Sequence, residues 1–186
     1  MIDANELRKG TTFMLDNDIY QVLEYQHYKP GRGNAIIRTK IRNLRSGTTI
    51  PRNFLSGERF EEADVERRGA QYLYSDQDYY YFMDTETYDQ NRIKAELIEE
   101  KAGYLKEGME ITLTVMGNEV FDIDLPTTVE MEIVEAEMAV AGDTATGATK
   151  QVICETGLKV QVPMFVDVGD TIRVDTRSGD YVTRVQ

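Results

Sequence analysis

With 186 residues, of which 41% are hydrophobic, the chain can bury a core, and no apolar run approaches the roughly 20 residues of a membrane span. Its single histidine and single cysteine exclude a multi-histidine metal site and an internal disulfide, and its formal net charge of −12 argues against tight binding to free RNA. Cys154 lies in a strand-like run, where core packing is expected. A lone cysteine and an N-terminus without signal-peptide features predict a cytoplasmic protein with no metal, cofactor or membrane partner.

Two predicted strands flank the most informative octet of the chain. Residues 19–25 and 35–43 have the composition of strands, and residues 28–35 between them read Tyr-Lys-Pro-Gly-Arg-Gly-Asn-Ala. Two glycines bracket Arg32, which predicts a tight turn at the tip of a hairpin. A long cation at such a tip is solvated and contributes little to folding, so we expect its partner to lie outside the protein.

The charge distribution around this octet supports a binding face. Residues 25–57 contain no Asp or Glu and seven cations: Lys29, Arg32, Arg38, Lys40, Arg42, Arg45 and Arg52. Residues 1–64 carry ten Lys/Arg and nine Asp/Glu, whereas residues 65–186 carry 11 and 24. An acidic protein with one basic end suits an oriented polyanion binder, although an ordinary solvated face is the alternative.

Strand periodicity sorts the second predicted strand into two faces. Ile37, Thr39 and Ile41 fall on one face and are expected in a core. Arg38, Lys40 and Arg42 fall on the other face, about 6.5–7 Å apart, where the row can follow a phosphate backbone.

The middle of the chain predicts a second unit. A polar, charged stretch at 57–70 suggests a domain boundary, and a tyrosine-rich hairpin follows at 71–74 and 78–83. A base-stacking platform and ordinary core and exterior packing both fit the tyrosines, and the absence of an interleaved cation favours packing. Residues 93–102 are the best helix candidate, with apolar residues at helical spacing. A hairpin at 111–116 and 119–124, turned by Gly117 and Asn118, ends the unit.

The last third of the chain predicts a five-stranded barrel. Leu125-Pro126 marks a second boundary, and residues 129–135 form a strand with Val129, Met131 and Ile133 inward. A loop of small residues follows, and then strand-like runs at 151–155, 158–162, 171–175 and 181–185. Five strands with a long first loop match an oligonucleotide-binding (OB) fold, in which that loop commonly contacts nucleic acid. The loop holds Gly142, Asp143 and Thr144, for which binding and plain solvation remain equally open.

Catalytic chemistry has little support in the sequence. One histidine and one apolar-flanked cysteine cannot build a credible nucleophilic triad, and no Gly-rich phosphate cradle is present. Asp122 and Asp124 share a strand face and are the one carboxylate pair that composition leaves open for a glycosidase-like role. We therefore predict a binding protein rather than an enzyme.

The chain resembles bacterial elongation factor P along its whole length. The segments that carry the resemblance are the octet 28–35 and residues 42–47, 71–74, 82–88, 125–130, 142–144, 155–157, 162–165 and 174–181. The resemblance implies an all-β protein of three small β-barrels in an L-shaped, tRNA-like arrangement. An SH3-like, KOW-type domain would span 1–64, a central OB domain 65–126 and a C-terminal OB domain 127–186.

The resemblance also implies a function. The chain would be a monomer that binds the ribosome between the peptidyl and exit sites and stimulates peptide-bond formation at polyproline stalls. Its partners would be peptidyl-tRNA, mRNA, ribosomal RNA and ribosomal proteins. The residues expected to contact the tRNA are Lys29, Pro30, Gly31, Arg32, Gly33 and Asn34. Those expected to contact mRNA or the small subunit are Gly142, Asp143, Thr144, Tyr181 and Arg184.

Two departures from the family pattern bear on these expectations. Arg32 stands where many relatives carry a lysine that an enzyme extends, so that amine chemistry is excluded here. Relatives with arginine at the tip are rhamnosylated in one group and not known to be modified in another, and the Pro-Gly-Arg-Gly spelling favours an unmodified Arg32. Ala141 stands before Gly142 where relatives often have a basic residue, which weakens the expected mRNA contact. A paralogue with another stall preference and a general RNA-binding module are the alternative functions.

Overall fold

A computed structural model of the chain describes residues 1–138 and 148–186. Strands make up 56% of it and helices 6%, so the all-β prediction is confirmed. The described strands form three curled sheets, and the chain divides into two compact units, residues 1–68 with 113–122 and residues 69–112 with 123–186. The division into domains at 1–64, 65–126 and 127–186 stays a prediction.

The first sheet has six strands in the order β1-β6-β2-β3-β4-β5. Their bounds are β1 (Ile2–Asp3), β2 (Thr12–Leu15), β3 (Asp18–Tyr28), β4 (Ile36–Asn43), β5 (Thr49–Leu55) and β6 (Arg59–Glu62). A 3-10 helix at Ala4–Glu6 follows β1, and Asp3 is its N-cap residue. Only β3 and β4 were predicted, because the other strands are short or lack a clear alternation.

Aromatic packing closes the core of this sheet. Phe13, Phe54 and Phe60 contact one another, with ring centroids 4.8–5.9 Å apart, and all three are buried. Ile37 and Ile41 join them from β4, at 2% and 0% exposure, which confirms the predicted inward face. Burial of this one face therefore fixes which side chains of β4 point outward.

The second sheet has five strands in the order β11-β10-β7-β8-β9. Their bounds are β7 (Glu66–Ser75), β8 (Tyr79–Asp84), β9 (Gln90–Lys94), β10 (Glu110–Met116) and β11 (Glu119–Asp124). The predicted hairpins are present, and the polar stretch 57–70 contains β6 and the start of β7 rather than only a linker.

The predicted helix at 93–102 is wrong in extent. Ile93 is buried and lies in β9, where it pairs with Tyr80 of β8. The first residues of the segment therefore form a strand instead of a helix. A 3-10 turn at Ala95–Leu97 and a single α-helical turn, α1 (Glu99–Ala102), complete it. Ile98 is buried between them, so the apolar residues serve the core without a continuous helix.

The third sheet has five strands in the order β14-β13-β12-β15-β16. Their bounds are β12 (Thr128–Ala136), β13 (Thr149–Cys154), β14 (Lys159–Pro163), β15 (Thr171–Asp175) and β16 (Tyr181–Val185). Val129, Met131 and Ile133 are buried in its core, as predicted from their alternation. Cys154 is fully buried there, and burial raises the pKa of its thiol to about 11, with the neighbouring Glu155 carboxylate adding to the shift.

Candidate nucleic-acid interface

The arginine octet lies at the end of a long hairpin. Strands β3 and β4 pair up to Tyr28 opposite Ile36, so the seven residues 29–35 form the connecting loop. The predicted tight turn is therefore wrong, because a seven-residue loop closes the hairpin. Of the two tip glycines only Gly33 has a positive φ, of 104°, and a Cβ at either position would meet nothing within 4 Å. Gly33 is thus required for its backbone angle, whereas Gly31 is not.

Arg32 is exposed at this tip. No described residue forms a hydrogen bond, ion pair or ring contact with its side chain. Lys29 and Asn34 are exposed beside it, and Pro30 is half-buried. The loop therefore presents a positive charge that no internal interaction neutralises.

The predicted cationic row lies on the outer face of β4. Arg38 and Lys40 are exposed and Arg42 is half-buried, while Thr39 between them is buried and donates from Oγ1 to the carbonyl of Arg52 at 2.7 Å. Arg38 lies opposite Gln26 and Lys40 opposite Glu24 in the register with β3. A groove of about 660 Å³ follows this face and also contacts Thr49 and Pro51 of β5. Arg38 and Lys40 thus line a concave surface, together with Glu24 opposite Lys40, and Arg42 lies outside it.

The Arg38 side chain packs against the aromatic ring of Tyr28. Its guanidinium carbon lies 4.7 Å from the ring centroid of Tyr28, which is 44% exposed at the end of β3. Such a contact keeps the positive charge on the surface and reduces the conformational freedom of the side chain. Tyr28 is an interface candidate that the sequence analysis did not assign a role.

Arg45 differs from the other cations of the acid-free window. It pairs with Asp18 at 3.3 Å and Glu119 at 3.1 Å, and Nη1 donates to the carbonyl of Asn17 at 2.8 Å. The hydrogen bond to Glu119 is the main reason that the pKa of Arg45 is raised. Arg45 is therefore a structural cation.

The opposite face of the hairpin carries a second arginine–tyrosine contact. Arg8 lies 5.2 Å from the ring centroid of Tyr25, which is 42% exposed. Both residues line a cavity of about 370 Å³, together with His27 and the buried side chains of Leu7 and Ile37. Sequence reasoning missed this site because Arg8 and Tyr25 belong to distant parts of the chain.

The predicted contacts of the C-terminal region are only partly visible. Gly142, Asp143 and Thr144 lie outside the described residues. Tyr181 and Arg184 lie on β16, opposite Val174 and Ile172 of β15. Both partners are buried, and an extra residue at Val182 shifts the register, so the two predicted contact residues share one face.

The surroundings of these two residues differ. Tyr181 packs against the core of its sheet. Arg184 lies 3.8 Å from the Asp170 carboxylate and 5.2 Å from the ring centroid of Phe165, which is 58% exposed. Arg184 is therefore held by weak surface contacts.

A cation from the neighbouring strand β9 packs on the tyrosine-rich hairpin. Tyr74 and Tyr81 stack with ring centroids 4.6 Å apart, and Arg92 of β9 lies 4.2 Å from the ring centroid of Tyr79. The hairpin segment itself holds no Lys or Arg, as the packing interpretation assumed, and Arg92 reaches the tyrosines because β9 pairs with β8. A hydrogen bond from the Tyr81 hydroxyl lowers the pKa of Asp76, which adds a carboxylate to the same surface.

Other kinds of site find no support in the described residues. No group of three or more His, Cys, Asp or Glu within 1–138 and 148–186 has the arrangement of a metal site. None of the helices in that part of the chain is long and apolar enough to cross a membrane. Asp122 and Asp124 lie on β11 on either side of the buried Ile123, and Cys154 is enclosed in a core.

Comparisons with known proteins identify relatives along the whole chain. Family models match residues 3–60 (elongation factor P KOW-like domain), 65–123 (elongation factor P OB domain) and 129–184 (elongation factor P, C-terminal). Elongation factor P of Moorella thermoacetica is 48% identical over 99% of this chain and 100% of the relative. Elongation factor P of Caldanaerobacter subterraneus subsp. tengcongensis is 47% identical over 100% of both chains.

A solved structure supports the fold. The eukaryotic translation initiation factor 5A from Methanococcus jannaschii matches 66% of this chain and 91% of its own length, with a TM-score of 0.51 and 21% identity. With the family models, it confirms KOW-like and OB domains.

Proposed function

The chain belongs to the elongation factor P family, and from that premise we propose that it stimulates peptide-bond formation on ribosomes stalled at consecutive prolines. The family consists of translation factors and not of enzymes. In our proposal the protein acts in the cytoplasm as a monomer, bound between the peptidyl and exit sites.

One observation carries the proposal: Arg32 is an exposed cation at the end of a long hairpin, and no described residue pairs with its side chain. The 33-residue window around it contains no carboxylate, which favours the approach of a phosphate. A guanidinium can bind phosphate through a planar fork and stack on a base. We assign Arg32 to the acceptor end of the peptidyl-tRNA.

The proposed mechanism is positioning. Proline is a rigid and poor nucleophile, so a misplaced peptidyl-tRNA end loses the advantage of proximity on which peptide transfer depends. Holding that end restores the reactive orientation, and each ~1.4 kcal/mol removed from the barrier accelerates transfer about tenfold. Ribosomal RNA remains the catalyst, and Arg32 takes no part in bond making.

The other predicted contact residues would meet the ribosome when Arg32 is at the acceptor end of the peptidyl-tRNA. The outer-face row of Arg38, Lys40 and Arg42 would contact tRNA or ribosomal RNA phosphates, with Arg38 and Lys40 lining the groove on β4. Tyr181 and Arg184 would contact the small subunit, and Gly142, Asp143 and Thr144 the mRNA. The acidic remainder would face ribosomal proteins, which are commonly basic.

The modification state of Arg32 is part of the proposal. We favour an unmodified guanidinium, because the fork needs free N–H donors. The intact mass of the native protein, followed by the mass of the Arg32 peptide, tests this. A deoxyhexose increment would contradict it and add an Arg32-modifying enzyme to the partners.

Reporter translation tests the function. Arg32→Ala should lower synthesis through a Pro-Pro-Pro reporter and leave a proline-free reporter unchanged. Arg32→Lys is the matched variant that keeps the charge without the planar fork, and it should rescue only part of the activity. Equal loss in both reporters would rule out a stall-specific role.

Ribosome profiling of a deletion strain then separates the remaining alternatives. Accumulation at polyproline motifs supports the proposal, whereas accumulation at other motifs supports a paralogue with a different stall preference. A general RNA-binding module would instead bind free RNA with a steep salt dependence and leave no motif signature.

A further inference from the structure

We propose that the cavity beside Arg8 and Tyr25 is a second RNA-binding site, which takes one unpaired nucleotide on the face of the hairpin opposite the cationic row. It rests on the proposed function in taking RNA as the partner. The base would lie in the cavity against the part of the Tyr25 ring that Arg8 does not cover, and the adjoining phosphate would meet the Arg8 guanidinium.

The register of the hairpin separates this site from the row of Arg38, Lys40 and Arg42. Tyr25 pairs with Thr39 and His27 pairs with Ile37, and both partners belong to the buried face of β4. The cations of the row belong to the alternate, outward face. Tyr25 lines both the cavity and the groove beside Arg38 and Lys40, whereas Arg8 and His27 line the cavity and not the groove, so the two sites can engage different nucleotides.

The Arg8 side chain is fixed before any ligand arrives. Its Nη1 donates to the carbonyls of Asn5 and Leu7, at 2.9 and 2.8 Å, and its guanidinium lies over the Tyr25 ring. Among the described residues no carboxylate pairs with it. The group thus keeps its full positive charge in one orientation, and its remaining N–H donors are free for a phosphate.

The two carboxylates nearest to Arg8 in the sequence, those of Asp3 and Glu6, form hydrogen bonds with other groups. The Glu6 carboxylate accepts from the backbone N–H of Asp3, and the Asp3 carboxylate accepts from the backbone N–H and side-chain amide of Asn5. This capping box holds both carboxylates at the start of the 3-10 helix, and neither lines the cavity. A phosphate at Arg8 therefore meets no carboxylate of the cavity wall.

The cavity has the shape and chemistry for a base. Its volume of about 370 Å³ lies within the ~300–1,000 Å³ of small-molecule sites. Leu7 and Ile37 form an apolar floor at 0% and 2% exposure, and Tyr25 and His27 form an aromatic wall. An aromatic wall beside a guanidinium is the arrangement that single-stranded RNA sites use for stacking and phosphate contact.

His27 supplies a direct reporter, because it is the one histidine of the chain. We would titrate the labelled protein with the RNA trinucleotide CCA at low ionic strength and follow the His27 imidazole Cε1–Hε1 signal by NMR. The expected result is a saturable shift. Tyr25→Leu should weaken the binding about tenfold, the equivalent of one lost base–aromatic stack.

A charge-matched control separates a built site from general attraction. Arg8→Gln and Arg59→Gln remove the same charge, and Arg59 is exposed on β6 and does not line the cavity. Arg8→Gln should weaken the response and Arg59→Gln should leave it within twofold. Amide spectra check that each variant is folded. If the lost carbonyl contacts of Arg8→Gln unfold the chain, Arg8→Lys and Arg59→Lys replace the glutamine pair, and the same order is expected.

Three results would overturn the proposal: no His27 shift at saturating RNA, the same shift with inorganic phosphate alone, or equal weakening by the two glutamine variants. Because the titration contains no ribosome, its failure leaves the Arg32 reporter result standing. In turn, a failed reporter experiment leaves a His27 shift standing.

Discussion

The Arg45 guanidinium and the Glu119 carboxylate form a two-bond pair, with Nε 3.1 Å from Oε2 and Nη2 3.2 Å from Oε1. Both side chains are partly exposed, so the pair is worth at most about 1 kcal/mol. Glu119→Gln should lower the free energy of unfolding by about 0.5–1 kcal/mol. Arg45→Met should cost more, because it also loses Asp18 and the Asn17 carbonyl. Denaturant unfolding checks this order, and a larger effect of Glu119→Gln would contradict it.

The two tip glycines provide a matched pair. Gly33→Ala should destabilise the loop by about 1–2 kcal/mol, because Gly33 has a φ of 104° that L side chains rarely adopt. Gly31→Ala should be neutral, since it has neither a positive φ nor a close neighbour. The Pro-Pro-Pro reporter and thermal unfolding measure both effects. If the two alanine variants behave alike, the backbone angle at Gly33 does not shape the tip.

The cationic row should act through phosphate. Replacing Arg38, Lys40 or Arg42 by Gln should weaken ribosome binding and reduce the slope of log affinity against log salt by about 0.7–1 per residue. The Arg45→Gln variant is the control from the same acid-free window, because Arg45 is already paired inside the protein. An equal change of slope in Arg45→Gln would mean that only the total charge matters.

Cys154 should be inert in the native protein. Burial raises the pKa of its thiol to about 11, so at pH 8 roughly one molecule in a thousand carries the thiolate, which is the nucleophilic form. We expect no alkylation by iodoacetamide under native conditions and rapid alkylation in concentrated guanidinium chloride. Mass spectrometry reads the adduct, and comparable native and denatured rates would place the thiol at the surface instead.

The Asp175 carboxylate should remain charged well into acid. The side-chain hydrogen bond from Arg177, at 2.9 Å, together with the Arg177 backbone N–H, lowers the pKa of Asp175 from 3.8 to about 2. Since the folded pKa is depressed, its stabilisation is complete above pH 3.8 and is lost as the pH falls through about 2. Carboxyl carbon NMR measures the titration, and Arg177→Gln should raise the pKa.

Alternation made most of the fold predictable. In β4 the buried Ile37 and Ile41 alternate with exposed or half-buried residues, and in β12 Val129, Met131 and Ile133 do the same, so strand identity and inward face follow from the sequence. The segment 93–102 fails this test, because its spacing fits a helix while Ile93 pairs with Tyr80 in a sheet. Whether these residues form a helix or a strand depends on pairing with β8, and the local sequence of the segment does not show that pairing.

The tip loop could be found from the sequence, whereas the arginine–tyrosine contacts between different strands could not. A charged residue between glycines in an acid-free window is a local signal, and it led to Arg32 and to the row behind it. The contact of Arg8 with Tyr25 depends on the 3-10 turn after β1 packing beside β3. The contact of Arg92 with Tyr79 likewise depends on pairing of β8 with β9.

Because Arg32 lies in the seven-residue loop at 29–35, the side chain at the tip can change in evolution without a change in the stability of the folded core. Since the Arg32 side chain touches no described residue, exchanging it for a lysine leaves the folded core unaltered. A change of one codon can therefore replace the side chain that a modifying enzyme would meet, with no compensating substitution in the scaffold. Grafting other residues onto this hairpin is, for the same reason, a direct way to compare tip chemistries on one protein.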